Sequence, residues 1–339
     1  MRVHDFSELN HFKNLQQVGN NSTWCAGWQV ASFILMSVFL MCISPEVQAN
    51  PADDLIGQGI QKGNRGDYRG AIADFSKAIR LNPDDPEAFY NRGVARASTG
   101  DLKGAIADYS RSIRLNSHSV GAYNNRGFAL AFLGRYTEAI ADMSLAIAID
   151  PGMAELYNNR GSIRMSMKAY AMAIADFTRA IELNPVLSGA YNNRGLARHL
   201  AGDLAGAVDD FLQAVRIDPR YKVAWFNLAN ARVAGGEIRE ATEDYSKVLV
   251  LDPEMLAARN NRAFARLSLG DFQGALDDLN RAVSSAPQNA SVWYNRGVVR
   301  RLSGDRKGAI EDLEKAAARG DSLAAVVLRE MLRPEGMPP

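Results

Sequence analysis

The sequence predicts an all-α solenoid, a stack of similar helix pairs, and two observations lead to this prediction. A repeat of 34 residues aligns the chain from Ala52 to Leu323 without an insertion or a deletion. Within each copy, small and apolar residues recur at spacings of three and four, which is typical of a buried helix face. A fixed period of this length indicates stacked repeats, because each helix pair buries its apolar face against its neighbours.

The repeat divides this region into eight units, each with two predicted helices. We place the units at residues 52–85, 86–119, 120–153, 154–187, 188–221, 222–255, 256–289 and 290–323. The first helix of each unit carries a small residue, usually glycine, which lets two helices approach closely. The second helix carries an alanine at a fixed position. In most units a glycine followed by an acid separates the two, because glycine commonly ends a helix and an acid favours the start of the next.

Residues 1–49 are predicted to be a secretory signal peptide, so we expect an exported protein of the periplasm or cell envelope. Residues 24–43 contain no charge, and this apolar run must leave water. Val47 and Ala49 suit the two positions that a signal peptidase recognises, which predicts cleavage before Asn50. The alternative is that residues 24–43 remain as an uncleaved inner-membrane anchor, since a run of this length can span a bilayer.

The composition excludes several classes of function. The chain has 39 Lys and Arg against 38 Asp and Glu, so no net field attracts nucleic acid or an anionic membrane surface. Both cysteines, Cys25 and Cys42, precede the repeats, and the chain has only four histidines. We therefore expect no metal site, no cofactor and no nucleic-acid partner. No combination of nucleophile and base or phosphate-binding loop predicts an enzyme, so we expect no catalytic residues.

Charged residues recur in matched columns. In units two to eight the first helices carry an arginine at one position, namely Arg92, Arg126, Arg160, Arg194, Arg262 and Arg296, and Leu228 is the exception. Every second helix carries an aspartate, namely Asp74, Asp108, Asp142, Asp176, Asp210, Asp244, Asp278 and Asp312. A buried guanidinium needs a carboxylate partner, so we expect ion pairs that set the packing of the two helices and do not bind ligand.

The third unit shows the motif that identifies the repeat. Its aromatic, small, alanine and proline positions are Tyr123, Gly127, Ala139 and Pro151, with Met143 in place of a second aromatic. This pattern resembles the tetratricopeptide repeat. The resemblance implies antiparallel helix pairs stacked into a right-handed superhelix with a concave inner face.

Beyond the last unit we expect a helix that caps the exposed apolar end of the stack. Residues 324–333 are apolar enough to cover the eighth unit, and Pro334 stops the helix. The remaining residues, 334–339, are predicted to form a mobile tail.

An asparagine column is the most uniform uncharged polar feature of the first helices. It contains Asn91, Asn125, Asn159, Asn193, Asn227, Asn261 and Asn295. The resemblance places this column on the concave surface, where it is similar to the asparagine ladder of the O-linked N-acetylglucosamine transferase. An amide both donates and accepts hydrogen bonds, so it can hold the main chain of a peptide. The alternative is that these amides only bridge neighbouring helices.

Apolar side chains accompany the asparagines. The predicted groove is lined by Tyr90, Phe128, Phe132, Leu196, Phe226, Phe264 and Tyr294. These residues offer pockets for an extended segment, or they pack between repeats. We therefore expect a scaffold that binds an extended segment of another protein in the groove. The alternatives are a membrane-anchored envelope assembly factor and a binder of glycan or another small polar ligand along the asparagines.

Overall fold

The computed structural model describes residues 50–333, and this part of the chain consists of α-helices joined by short turns. The predicted signal peptide or anchor and the predicted tail lie outside the described residues. The helices are α1 (Pro51–Asn64), α2 (Tyr68–Leu81), α3 (Pro86–Ser98), α4 (Leu102–Leu115), α5 (Val120–Phe132), α6 (Tyr136–Ile149), α7 (Ala154–Ser166), α8 (Tyr170–Leu183), α9 (Ser188–Ala201), α10 (Leu204–Ile217), α11 (Lys222–Gly235), α12 (Ile238–Leu251), α13 (Leu256–Ser268), α14 (Phe272–Ser285), α15 (Ala290–Leu302), α16 (Arg306–Ala317) and α17 (Ser322–Leu332).

The helices α1 to α16 form successive pairs, and each pair packs on the next. Each odd-numbered helix of this series is the first helix of a repeat and contacts the second helix that follows it. That second helix also contacts the first helix of the next repeat. The predicted all-α solenoid is therefore confirmed. None of the helices within residues 50–333 combines the length and the apolar character that a membrane span requires.

Turns between the paired helices follow the glycine and acid pattern of the sequence. Gly66 adopts a positive φ of 81°, where an L side chain is strained. The side chain of Asp67 then accepts a hydrogen bond from the backbone N–H of Gly70 at 2.9 Å and caps α2. The same cap begins four other second helices, through Asp101, Asp203, Asp271 and Asp305.

The core lies between the paired helices. The rings of Phe177 and Phe211 and the side chain of Met143 are almost entirely buried. A Cβ atom added at Gly161 would lie 2.7 Å from the ring of Phe177, so this glycine lets α7 approach α8 closely. At the carboxyl end α17 packs on α16. This helix begins at Ser322, two residues before the predicted cap, because Asp321 caps it by accepting from the N–H of Ala324.

Candidate functional site

The arginines of the first helices bind the aspartates of the second helices through two parallel hydrogen bonds. Nε of Arg92 donates to Oδ2 of Asp108 at 2.9 Å, and Nη2 donates to Oδ1 at 2.7 Å. The same two-bond contact forms in five other repeats, between Arg126 and Asp142, Arg160 and Asp176, Arg194 and Asp210, Arg262 and Asp278, and Arg296 and Asp312. The aspartates are buried, so each pair joins two helices at a site with little water.

Most of these aspartates also bind a second cation from the same first helix. Nη1 of Arg96 lies 2.7 Å from Oδ2 of Asp108. Equivalent contacts are made by Arg164, Arg198, Arg232, Arg266 and Arg300. In the first repeat Lys62 binds Asp74 instead, at 2.5 Å. Two positive charges therefore compensate one buried carboxylate in several repeats.

Each arginine of the first column also reaches the preceding repeat. Nη1 of Arg92 donates to the hydroxyl of Ser76 on α2 at 3.2 Å. The corresponding acceptors in the other repeats are Ser110, Ser144, Thr178, Ser246 and Asn280. This polar column was not predicted, although its members recur in the sequence at the 34-residue spacing. One guanidinium therefore ties together two second helices and the first helix between them.

The sixth repeat lacks this link. Leu228 stands where the other repeats carry arginine, and the residue that the arginine would reach in the fifth repeat is Leu212. Leu212 packs against the buried cluster that contains Leu228, so an apolar contact replaces the polar one. Asp244 then retains Arg232 as its ion-pair partner, at 2.7 Å. Burial raises the pKa of Asp244 to about 6, although Arg232 opposes this shift.

The asparagine column forms hydrogen bonds across repeat boundaries. Nδ2 of Asn159 donates to Oδ1 of Asn124, in the preceding repeat, at 3.0 Å. The same contact joins Asn193 to Asn158 and Asn227 to Asn192. Asn125 donates to the hydroxyl of Tyr90, and Asn261 donates to Asn230. The amides therefore bridge helices, and each of these contacts uses one of the two N–H groups of the amide.

One member of the asparagine column, Asn295, is more buried than the others. Asn295 is only 8% exposed, so its amide has little surface to offer a ligand. Asn91 is half-buried at the other end. The amides of Asn125, Asn159, Asn193, Asn227 and Asn261 are also half-buried, and we call these five residues the amide row.

The predicted groove aromatics divide into two groups. Phe226 packs against Tyr245 with ring centroids 6.0 Å apart, and Phe128 packs against a buried cluster around Met143. Phe264 is half-buried, and Tyr294 is only 6% exposed. These side chains contribute mainly to packing. Phe132 differs because 72% of its side chain is exposed at the end of α5. Leu200 holds the same position in α9 and is 38% exposed.

The number of cations at each aspartate predicts how much a repeat depends on that carboxylate. Asp278 faces Arg262 and Arg266, so Asp278→Asn leaves Arg262 without a carboxylate and Arg266 with only the longer contact to Asp271 at 3.8 Å. It should lower the free energy of unfolding by about 3 kcal/mol. Asp244→Asn should cost less than about 1.5 kcal/mol at neutral pH. Urea unfolding of both variants measures the difference. Equal losses of unfolding free energy in the two variants would contradict the prediction that the number of cations at the aspartate determines the cost.

The pH dependence of the same pair has a definite sign. Because the pKa of Asp244 is raised in the folded protein, the folded state binds this proton more tightly than the unfolded state. Wild-type stability should therefore fall, relative to that of Asp244→Asn, as the pH rises from about 4 through 6. A constant difference between the two proteins across this range would show that Asp244 has an ordinary pKa.

The apolar link at the sixth repeat can be converted to the polar one. Leu228→Arg together with Leu212→Ser should restore the contacts seen in the other repeats and lower the pKa of Asp244. We expect a favourable coupling energy of about 1 kcal/mol or more in a double-mutant cycle. The single variants should each destabilise the protein, since each places a polar side chain opposite the remaining leucine. Strict additivity would show that the two positions are independent.

Comparison with known proteins places the repeats in one family. Models described as "TPR repeat" or "Tetratricopeptide repeat" match residues 64–100, 86–119, 120–153, 154–185, 188–221, 226–289 and 262–325. A search of curated protein sequences gave no significant match.

One solved structure with a TM-score above 0.5 agrees with this fold, and two others are less similar. The APC/C hetero-tetramer Cut9–Hcn1 aligns with 85% of this chain and 57% of its own chain, at 15% identity and a TM-score of 0.53. A tetratricopeptide repeat protein from Parabacteroides merdae covers 84% of this chain and 99% of its own, at 17% identity and a TM-score of 0.49. MamA covers 51% and 94%, at 25% identity and a TM-score of 0.47. From its repeated motif, its helix pairs and the family models that match them, the chain belongs to the tetratricopeptide repeat proteins.

Proposed function

We propose that this protein is an interaction scaffold that holds an extended segment of another protein along its first helices. The amide row is the observation that carries the proposal. Asn159, Asn193 and Asn227 of the row each use one N–H group within the solenoid, which leaves a second N–H group and carbonyl lone pairs for a ligand. A peptide main chain presents the complementary acceptors and donors, whatever its side chains are.

The contacts between repeats also favour binding, because they hold the amides in place. Asn159 and Asn193 are each fixed by a donor contact at 3.0 Å to the preceding repeat. A side chain that is already ordered loses less conformational entropy when a ligand arrives. The structural and the binding hypotheses for the asparagines are therefore compatible, and the first supports the second.

The charges near the amide row favour recognition of the main chain over recognition of an acidic segment. The arginines that neighbour the row are held by buried aspartates, as in the pair of Arg160 with Asp176. Their charge is thus compensated within the protein. Phe132 and Leu200 add exposed apolar surface beside the row, where side chains of the bound segment could be buried.

The cellular location is part of the same proposal. We propose that the protein is exported to the periplasm or envelope, on the basis of the uncharged run at residues 24–43 and the cleavage site before Asn50. The structure offers a consistent boundary, because the side chain of Asn50 accepts from the N–H of Ala52 and caps α1. Helix α1 thus begins directly after Asn50, the first residue of the proposed mature chain. The anchored assembly factor remains the alternative.

Exposed apolar residues beside the amide row provide the cleanest test of the groove. Phe132→Ser combined with Leu200→Ser should weaken binding of the partner captured by the wild type by roughly tenfold or more. Thermal stability should hardly change, since both side chains are exposed. Val250→Ser is the matched control, because Val250 is 78% exposed on the second helix α12. Equal binding by the double variant and the control would contradict the groove proposal.

Mass spectrometry of the mature amino terminus tests export. We expect a chain that begins at Asn50 when the protein is purified from its source envelope, because cleavage would leave the cap of α1 intact. A chain that still contains residues 24–43 would support the anchored alternative instead.

A further inference from the structure

The solvent-facing side of the second helices differs between repeats and suggests a second binding surface. On each second helix, four residues at spacings of four, four and three form one solvent-facing stripe, which we call the outer stripe. On α2 it contains Arg69, Ala73, Lys77 and Arg80. On α4 it contains Lys103, Ala107, Arg111 and Arg114. Both stripes are cationic, with one small alanine each.

The carboxylates of these two helices do not balance this charge. Asp74 and Asp108 are the acidic residues of α2 and α4, and both are buried on the opposite side, against the first helices. Lys77 and Arg111 have weak ion pairs at 3.6 Å and 3.1 Å. On α2 and α4, four exposed cations have no carboxylate partner within residues 50–333, namely Arg69, Arg80, Lys103 and Arg114. We call these four residues the cationic patch.

The other repeats show that this charge is not a general property of the outer stripe. In the third and fourth repeats the alanine position continues as Ala141 and Ala175, but cations are mostly absent. From the fifth repeat onward an acid replaces the alanine, as Asp209, Glu243, Asp277 and Glu311, and the last three lie four residues from a cation of the same stripe. The net charge of the whole chain is only +1, so the cationic patch arises from segregation of charge and not from excess.

Exposed apolar side chains lie on the same side of the neighbouring helices. Leu145, on the outer stripe of α6, is 48% exposed, and Met172 of α8 is 57% exposed. Leu81, next to Arg80 at the end of α2, is 59% exposed. Unpaired cations beside exposed leucine and methionine suit the boundary between lipid headgroups and acyl chains.

We propose that the outer stripes of α2 and α4 dock on a membrane surface that contains anionic phospholipid. The cations bind headgroup phosphates, and the small alanine side chains between them let the headgroups approach the helix. The apolar side chains of α6 and α8 enter the interface. This surface lies on the second helices, so the first-helix groove stays free for a peptide. The inference is independent of the peptide-binding proposal.

Vesicle binding of the chain from Asn50 to Pro339 tests this proposal, because residues 49–339 form a compact unit by themselves. This chain also omits residues 24–43, which could insert into any bilayer. Sedimentation with vesicles of equal parts phosphatidylglycerol and phosphatidylcholine should show binding that salt weakens. Vesicles of pure phosphatidylcholine should bind far less of the protein.

Two variants of equal net charge locate the surface. Changing the cationic patch to glutamine (R69Q, R80Q, K103Q, R114Q) should weaken binding to the anionic vesicles by roughly 100-fold or more. The control variant removes four cations from the outer stripes of α10, α12 and α14 (R216Q, R239Q, K247Q, R281Q) and should bind nearly as the wild type does. Circular dichroism establishes that both variants are folded.

Three outcomes would overturn the proposal. Equal losses in the two variants would show an effect of net charge alone. Equal binding to both kinds of vesicle would show that anionic lipid is not recognised. Tighter binding to soluble polyglutamate than to the vesicles, at the same concentration of negative charge, would identify the patch as a site for an acidic protein segment.

Discussion

The buried ion pair between the two helices of a repeat is the interaction on which the rest of the structure depends. An aspartate such as Asp312, which is fully buried, is tolerated only because a guanidinium binds it through two parallel hydrogen bonds. The same guanidinium reaches a polar side chain of the preceding repeat. One side chain therefore sets the spacing of three helices, and the 34-residue period propagates this spacing along the stack.

This use of arginine also determines the character of the first-helix face. The cations nearest the amide row are neutralised inside the protein, so amides and a few apolar side chains are the groups left for a ligand. Asn193 and Asn227 illustrate the consequence, because each is oriented by the preceding repeat and still retains hydrogen-bonding groups. We propose that this face holds the main chain of a partner, whereas the cationic patch lies on the second helices α2 and α4.

Much of the fold could be predicted from the sequence because equivalent positions carry the same kinds of residue in nearly every repeat. The period identified the helix pairs, and the matched columns of arginine and aspartate identified residues that face each other. Contacts between repeats were harder to predict, because the 34-residue spacing does not determine how far each repeat is rotated relative to the one before it. For this reason the contact of Arg92 with Ser76, and the identity of Asn124 as the partner of Asn159, appeared only in the structure.

The groove residues show a second limit of sequence reasoning. Phe128 and Phe132 lie four positions apart on one helix, yet only Phe132 is largely exposed. Spacing places both on one side of α5, and only the packing of the neighbouring repeat separates them. An asparagine that bridges helices and one that binds a ligand likewise produce the same column, so the sequence left both hypotheses open.

Site-specific photo-cross-linking in the source cells tests most directly whether the first-helix face holds the partner. A photoreactive residue would replace Phe132, Ser166 or Leu200 on that face, or Ala141, Ala175 or Gln213 on the outer stripes of the same repeats. All six positions are exposed, so access does not bias the comparison. We predict that a single partner is cross-linked from the first-helix positions and not from the outer stripes. Cross-links to the same partner only from the outer stripes would contradict the account.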